Sequence, residues 1–178
     1  MSRPTALITG ATSGIGASTA KHFAKNGINL ILCGRRQERL DSLKNELQQL
    51  VEVHTLTFDV RNKKDVENAI NDLPEAFQHI DILINNVGPP SSGPITEISY
   101  EKWRHYMATK LDSAFLCIKE AIPHLSKYGC GVIINIGASS AHTGNPNRAV
   151  DVAAKMGLAG LTGALAVELA DQNITVNC

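Results

Sequence analysis

Short apolar runs alternate with longer amphipathic stretches along the whole chain. Runs rich in Val, Ile and Leu fall at residues 5–9, 29–33, 51–58, 80–84, 131–136 and 174–176. Each has the length of a strand, and most lack polar alternation, as expected of strands covered on both faces. Residues 51–58 alternate more, through Val51, Val53 and Thr55. Between these runs apolar residues recur at spacings of three and four, the mark of helices with one buried stripe. Leu40, Leu43, Leu47 and Leu50 make one such stripe, and Val66, Ala69, Ile70 and Leu73 make another. The spacing predicts helices over 14–25, 37–50, 62–77, 100–128 and 149–170, the first stopped by Gly27 and the fourth interrupted near Pro123.

Strand and helix in alternation imply βαβ units and a parallel sheet. The predicted architecture is α/β, a doubly wound parallel sheet in three layers, and the 178 residues form a single domain. No repeat or low-complexity tract divides it. Residues 88–94 (GPPSSGP) have linker composition but follow a strand's C-terminal end, so they are read as a site loop.

Composition narrows the function classes. Charged residues make up 19% and balance to zero, which gives no basic footprint for nucleic acid. The apolar runs are strand-sized, so no membrane span is expected. Met1-Ser2-Arg3-Pro4 leads straight into the first strand, so no secretory signal is expected. Cys33, Cys117, Cys130 and Cys178 form no paired metal motif; no metal site and reduced thiols in a cytoplasmic protein are expected. Cys33 and Cys117 have apolar neighbours and are expected to act as small hydrophobes.

The chemistry starts at Thr9-Gly10-Ala11-Thr12-Ser13-Gly14-Ile15-Gly16, between the first strand and the first helix. Glycines permit a tight turn and close approach of backbone to ligand, and a helix N-terminus offers free N–H groups and partial positive charge. That combination suits the paired phosphates of a dinucleotide, and Gly16 would let the helix pack closely on the sheet.

The glycine spacing is G-x-x-x-G-x-G, and with Thr9 it resembles the short-chain dehydrogenase/reductase family, in particular members like 3-oxoacyl-ACP reductases. Further segments agree in order. Asp59-Val60 matches the family's acidic residue near the adenine, Asn85-Asn86-Val87-Gly88 its NNAG turn, and residues 133–137 and 174–177 its fifth and sixth strands. The resemblance implies a Rossmann-like NAD(P)-binding domain. Its cofactor contacts would be Gly10, Thr12, Ser13, Gly14, Ile15, Gly16, Asp59, Val60, Asn86, Gly88 and Lys155.

The second strand ends at Cys33-Gly34-Arg35-Arg36. An NAD-selective site usually has a carboxylate here, whereas guanidinium groups suit a 2′-phosphate by charge and geometry. NADP(H) is therefore favoured over NAD(H), with Arg35 as main contact and Arg36 or Ser13 assisting. Arg36 at a helix start also fits a purely solvated role.

The family's catalytic residues are largely replaced. Its members use an Asn, a Ser, a Tyr and a Lys, the Tyr moving the proton and the Lys holding the nicotinamide ribose. Y-x-x-x-K falls on residues 151–155, so Lys155 is present but Asp151 stands at the Tyr position. The Ser position falls on Ala138, next to Ser139, and the Asn position on Lys110. A free aspartic acid has a pKa near ~3.9, so at pH 7 the proton-donor form is about a thousandfold rare, roughly 4 kcal/mol unfavourable. Asp151 therefore suits a base for alcohol oxidation better than an acid for carbonyl reduction. Equally, Asp151 precedes Lys155 by four residues on one helix, the favoured order for an ion pair that Lys110 would join. His142, Tyr106 and Tyr100 are alternative acids that packing or surface roles explain as well.

The resemblance also implies a substrate-covering segment and a seventh strand after Cys178, so the sequence is expected to be part of a longer chain. Three functions stay open. One is an NADP(H)-dependent oxidoreductase acting on a small alcohol or carbonyl by variant chemistry. Another is a catalytically silent cofactor-binding or regulatory protein. The third is a structural subunit. The resemblance implies a homodimer or homotetramer through helices 100–128 and 149–170, where Ala153, Ala154, Gly157, Gly160 and Gly163 would allow close approach.

Overall fold

The computed structural model describes residues 3–89, 93–125 and 130–178. In chain order its main elements are β1 (Thr5–Thr9), α1 (Gly14–Lys25), β2 (Asn29–Gly34), α2 (Gln37–Leu47), β3 (Val53–Thr57), α3 (Lys63–Asn71) and β4 (Ile82–Asn85). Then come α4 (Tyr100–Met107), α5 (Ser113–Leu125), β5 (Gly131–Asn135), α6 (Ser140–Thr143), α7 (Ala149–Glu168) and β6 (Ile174–Asn177). The strands form one sheet in the order β3-β2-β1-β4-β5-β6. Every neighbouring pair is parallel, with Leu7 level with Ile31 on one side and Leu83 on the other.

The period-two pleat sends alternate residues to two cores. Leu7, Ile31, Leu83 and Ile133 pack on one face against Val66 and Ile70 of α3, Cys117 and Ile118 of α5, and Leu161 and Leu165 of α7. Ile8, Leu30, Leu32 and Ile84 pack on the other against Ala20 and Ala24 of α1 and Leu40 and Leu43 of α2. This is the doubly wound, three-layer arrangement that the apolar pattern predicts. Cys33 and Cys117 are fully buried, and burial pushes both thiols up, Cys117 to about 12. Strand order reverses between β1 and β4, so a crevice opens beyond their C-terminal ends, where ligands of such sheets sit.

Several boundaries differ from the sequence reading. The helix expected over 62–77 is α3 alone, followed by a short 3-10 turn at Glu75–Phe77. Pro74 causes this, because a proline biases its predecessor away from helix. The long helix expected over 100–128 is continuous through Pro123. Its irregularity lies earlier, in a π-helical turn at Ala108–Asp112. There Thr109 Oγ1 donates to the His105 carbonyl and Ser113 Oγ to the Thr109 carbonyl, back-bonding that loosens the helical ladder. Residues 90–92 of the expected site loop and 126–128 of that helix lie outside the described residues.

Helix α7 corrects the view that apolar runs are only strand-sized. It has 20 residues, 18 of them in a stretch of mean hydropathy 1.4, and is long and apolar enough by length and composition to cross a membrane. Its many Ala residues raise hydropathy, while Gly157, Gly160 and Gly163 interrupt any bulky apolar run. In this fold it packs along β6 and α4.

Candidate functional site

The turn between β1 and α1 forms one end of the crevice. Gly14 starts α1 at φ +55°, a left-handed conformation that glycine adopts freely, and nothing lies within 4 Å of where its Cβ would be. Gly16 is required for the opposite reason. A Cβ there would sit 2.5 Å from the Gly10 carbonyl oxygen and 2.6 Å from Asn86 Nδ2. Ser13 precedes α1 without a side-chain capping bond, whereas Asn62 caps α3 and Ser99 caps α4. The first N–H groups of α1 thus face open space with no side-chain acceptor from their cap, which suits an incoming anion.

Asn86 braces this turn. Its Nδ2 donates to the Thr9 and Gly10 carbonyls at 3.2 and 3.3 Å, and its backbone N–H donates to Thr9 Oγ1 at 3.0 Å. Thr9 Oγ1 in turn donates to the Ile84 carbonyl at 3.2 Å. The motifs at the ends of β1 and β4 are therefore one hydrogen-bonded unit at the switch point.

The two arginines after β2 take different positions. Arg36 Nη2 donates to Thr12 Oγ1 at 2.6 Å and to Ser13 Oγ at 3.1 Å, so its guanidinium lies on the phosphate turn. Arg35 is exposed and approaches Asp59 at 3.8 Å. Asp59 is mainly engaged by Arg61, whose Nε donates at 2.9 and 3.1 Å and whose Nη2 lies at 2.5 Å. These Arg61 hydrogen bonds, against the opposing effect of burial, hold the Asp59 carboxyl down at about 2. Arg61 Nη1 also lies 2.8 Å from His105 Nδ1, linking the end of β3 to α4.

The other end of the crevice is built from charged side chains. The π-helical turn carries Lys110 inward, where its side chain is 1% exposed and its ammonium pairs with the Asp151 carboxylate of α7. The Lys110 Nζ also lies 5.3 Å from the Tyr106 ring centroid, a cation–π contact. Lys155, one turn along α7, donates from Nζ to the Ile136 carbonyl. Burial pushes the Lys155 ammonium below the usual lysine range and the Lys110 charge adds to this, while Asp151 acts in the opposite direction. An ammonium as buried as that of Lys110 would cost several kcal/mol without a partner, so Asp151 and Lys110 stabilise each other.

One cavity of about 660 Å³ joins these parts. It is lined by the glycine turn, Arg35, Arg36, Asp59, Val60, Asn86, Gly88, Lys110, Asp151 and Lys155. The volume and the phosphate turn fit a dinucleotide. Ala138 lies outside the lining, as do Ser139, His142, Tyr100 and Tyr106. Ser139 belongs to a turn entering α6, past the end of β5. Among the lining residues that sequence reasoning missed are three with basic side chains, Arg61, His105 and Arg148. Arg61 directly follows Asp59-Val60 and Arg148 lies three residues before Asp151, and those positions were the available signal.

Comparison with known proteins agrees with this geometry. The family model described as short chain dehydrogenase matches residues 4–178. Sulfoacetaldehyde reductase 2 of Chromohalobacter salexigens is 41% identical over 134 residues, 74% of this chain and 53% of that protein. D-beta-hydroxybutyrate dehydrogenase of Rhizobium meliloti is 35% identical over 176 residues, 97% of this chain and 68% of that protein. The crystal structure of an actinorhodin polyketide ketoreductase variant with NADPH superposes with a TM-score of 0.92 at 35% identity, covering 98% of this chain and 68% of that one. The chain thus spans between about half and two thirds of the length of these relatives. By its matched sequence and its fold, the chain belongs to the short-chain dehydrogenase family.

Proposed function

We propose that this chain is the NADP(H)-binding part of an oxidoreductase acting on a small alcohol or carbonyl, with chemistry that favours alcohol oxidation. The observation that carries the reading is the charged group at the crevice's inner end, where the Lys110–Asp151 pair and Lys155 line the same cavity as the phosphate turn. The solved relative with NADPH supports the choice of cofactor class.

The backbone of residues 13–16 would hold the diphosphate, Arg36 and Arg35 the 2′-phosphate, and Lys155 the nicotinamide ribose. The cofactor, when bound, supplies hydride-transfer chemistry. Asp151 is an acceptor in its ion pair, so it is suited to take a proton from an alcohol hydroxyl and unsuited to give one to a carbonyl oxygen. Lys110 keeps that carboxylate in place. Ala138 offers no hydroxyl to hold a substrate oxygen.

Assembly as a homodimer or homotetramer is part of the proposal. It is supported by Phe115 on α5 and Met156 and Val167 on α7, apolar side chains that are 51%, 45% and 81% exposed on the two helices expected to form the interface. A cytoplasmic setting is proposed on the buried free thiols of Cys33 and Cys117.

The test is NADP+-linked oxidation of an alcohol panel beside NADPH-linked reduction of the matching carbonyls. Slow oxidation with negligible reduction is expected. Carbonyl reduction at ordinary enzymatic rates would refute the oxidation bias. Cofactor binding without turnover in either direction would establish a silent binding protein instead. Arg36→Gln should weaken NADPH about tenfold while leaving NADH unchanged.

A further inference from the structure

Lys155 has the surroundings of a nucleophilic amine as well as those of a ribose ligand. Its Nζ donates to the Ile136 carbonyl, which fixes the head group and leaves the lone pair of the neutral amine directed elsewhere. Gly88 lies beside it. A Cβ at Gly88 would sit 3.8 Å from Lys155 Nζ and 3.6 Å from Lys110 Cγ, with nothing nearer beyond its chain neighbours. Glycine at this position therefore leaves the amine uncovered on that side. Gly88 and Lys155 line the cavity of about 660 Å³ together with the apolar Val87, Pro89 and Ile136.

Burial pushes the Lys155 ammonium below the usual lysine range and the Lys110 charge adds to this, while Asp151 and Cys178 oppose it. An amine near a second cation in a partly apolar cavity is the setting in which lysine attacks a carbonyl carbon. Asp151 supplies the base that such chemistry needs next. It precedes Lys155 by four residues within α7, so the two side chains share one helix face.

We propose a second activity for the crevice: without cofactor in the site, Lys155 condenses with short aliphatic aldehydes to an imine, and Asp151 takes the α-proton of that imine. The lysine lone pair adds to the carbonyl carbon. The carbonyl oxygen acquires both amine protons and leaves as water, and a C=N bond remains. Protonation of the imine nitrogen by solvent makes the α-C–H acidic. Its proton passes to the Asp151 carboxylate, and its bonding pair forms the C=C bond of an enamine. Return of a solvent proton and hydrolysis release the aldehyde with its α-hydrogen exchanged. No electron donor or acceptor is consumed. The inference goes beyond the oxidoreductase reading and competes with it only for occupancy of Lys155.

Propanal with sodium cyanoborohydride, which reduces an imine to a stable propyl-lysine, tests the first step on cofactor-free protein by peptide mass mapping. At pH 7 Lys155 should be propylated at least about tenfold faster than the exposed Lys25 and Lys102. Labelling of Lys155 no faster than those two would overturn the proposal. Exchange of the propanal α-hydrogens in D2O, followed by proton NMR, tests the second step. The protein should accelerate it at least about tenfold over buffer, and Lys155→Arg should return it to the buffer rate. Exchange that is never accelerated, or that survives Lys155→Arg, would also overturn it. In Lys110→Met combined with Asp151→Asn, trapping should persist, because burial is the main influence on the amine, and exchange should fall about tenfold. Undiminished exchange there would overturn the role of Asp151. The cofactor reading is separated by repeating the trapping at saturating NADPH. Protection of Lys155 is expected, and unabated trapping would refute the placement of the nicotinamide ribose while leaving the imine chemistry in place.

Discussion

The two ends of the crevice are built from different materials. At the β1–α1 turn the ligand surface is backbone, shaped by Gly14 and Gly16 and braced by Asn86. At the inner end it is side chain, with Lys110, Asp151 and Lys155 in contact through charge. A backbone surface is fixed by steric limits, so few residues are allowed there and the family pattern persists. A side-chain surface can be rebuilt if substitutions compensate one another. A lysine at the Asn position would be intolerable when buried alone, and an aspartate at the Tyr position makes it tolerable. The pair is best read as one coupled replacement.

That reading predicts the largest effect at the inner end. Lys110→Asn, Ala138→Ser and Asp151→Tyr together should raise NADPH-linked carbonyl reduction by about 100-fold or more, the usual worth of a placed general acid. Steady-state assays on a carbonyl panel check it, and an unchanged rate would show that the site differs in more than its proton relay. Next comes stability. Asp151→Asn alone removes the carboxylate that faces the buried Lys110 charge and should cost about 3–5 kcal/mol in chemical denaturation. Adding Lys110→Met should recover most of that loss; additive losses would break the claim that the two positions act as a unit. At the other end, Gly16→Ala forces a Cβ against the Gly10 carbonyl. NADPH affinity should fall about 10–100-fold by titration, through backbone displacement that no side-chain swap nearby repairs.

The smallest effect concerns acid stability. Asp59 is held at about 2 by Arg61, below the ~3.9 of an unfolded aspartate. Its contribution is therefore complete above about pH 4 and is lost as pH falls toward 2. Allowing for its partial exposure, the pair is worth about 1 kcal/mol. Thermal melts of wild type and Arg61→Met should differ near neutrality and converge by about pH 2.

Most of the fold was legible because both of its periods are local. Strand-length runs of Val, Ile and Leu and three-four spacing identify elements that the sheet only confirms, as at Leu7 and Ile31 or Leu40 and Leu43. Errors arose where local geometry overrides pattern, at Pro74 and at the π-helical turn carrying Lys110. The glycine turn was legible through its spacing. The division of labour between Arg35 and Arg36 was not, because it depends on which guanidinium reaches back to Thr12 across β1 and β2. Arg61 and Arg148 were hidden for the same reason. A charged residue beside a motif looks solvated until the fold shows which wall it joins.

The central claim is that the turn between Thr9 and Gly16 cradles paired phosphates with backbone N–H groups. Crystals of the protein grown with NADPH test it directly. The diphosphate should lie within hydrogen-bonding distance of the N–H groups at the start of α1, with the 2′-phosphate against Arg36. A cofactor bound elsewhere, or an empty turn at saturating NADPH, would contradict it.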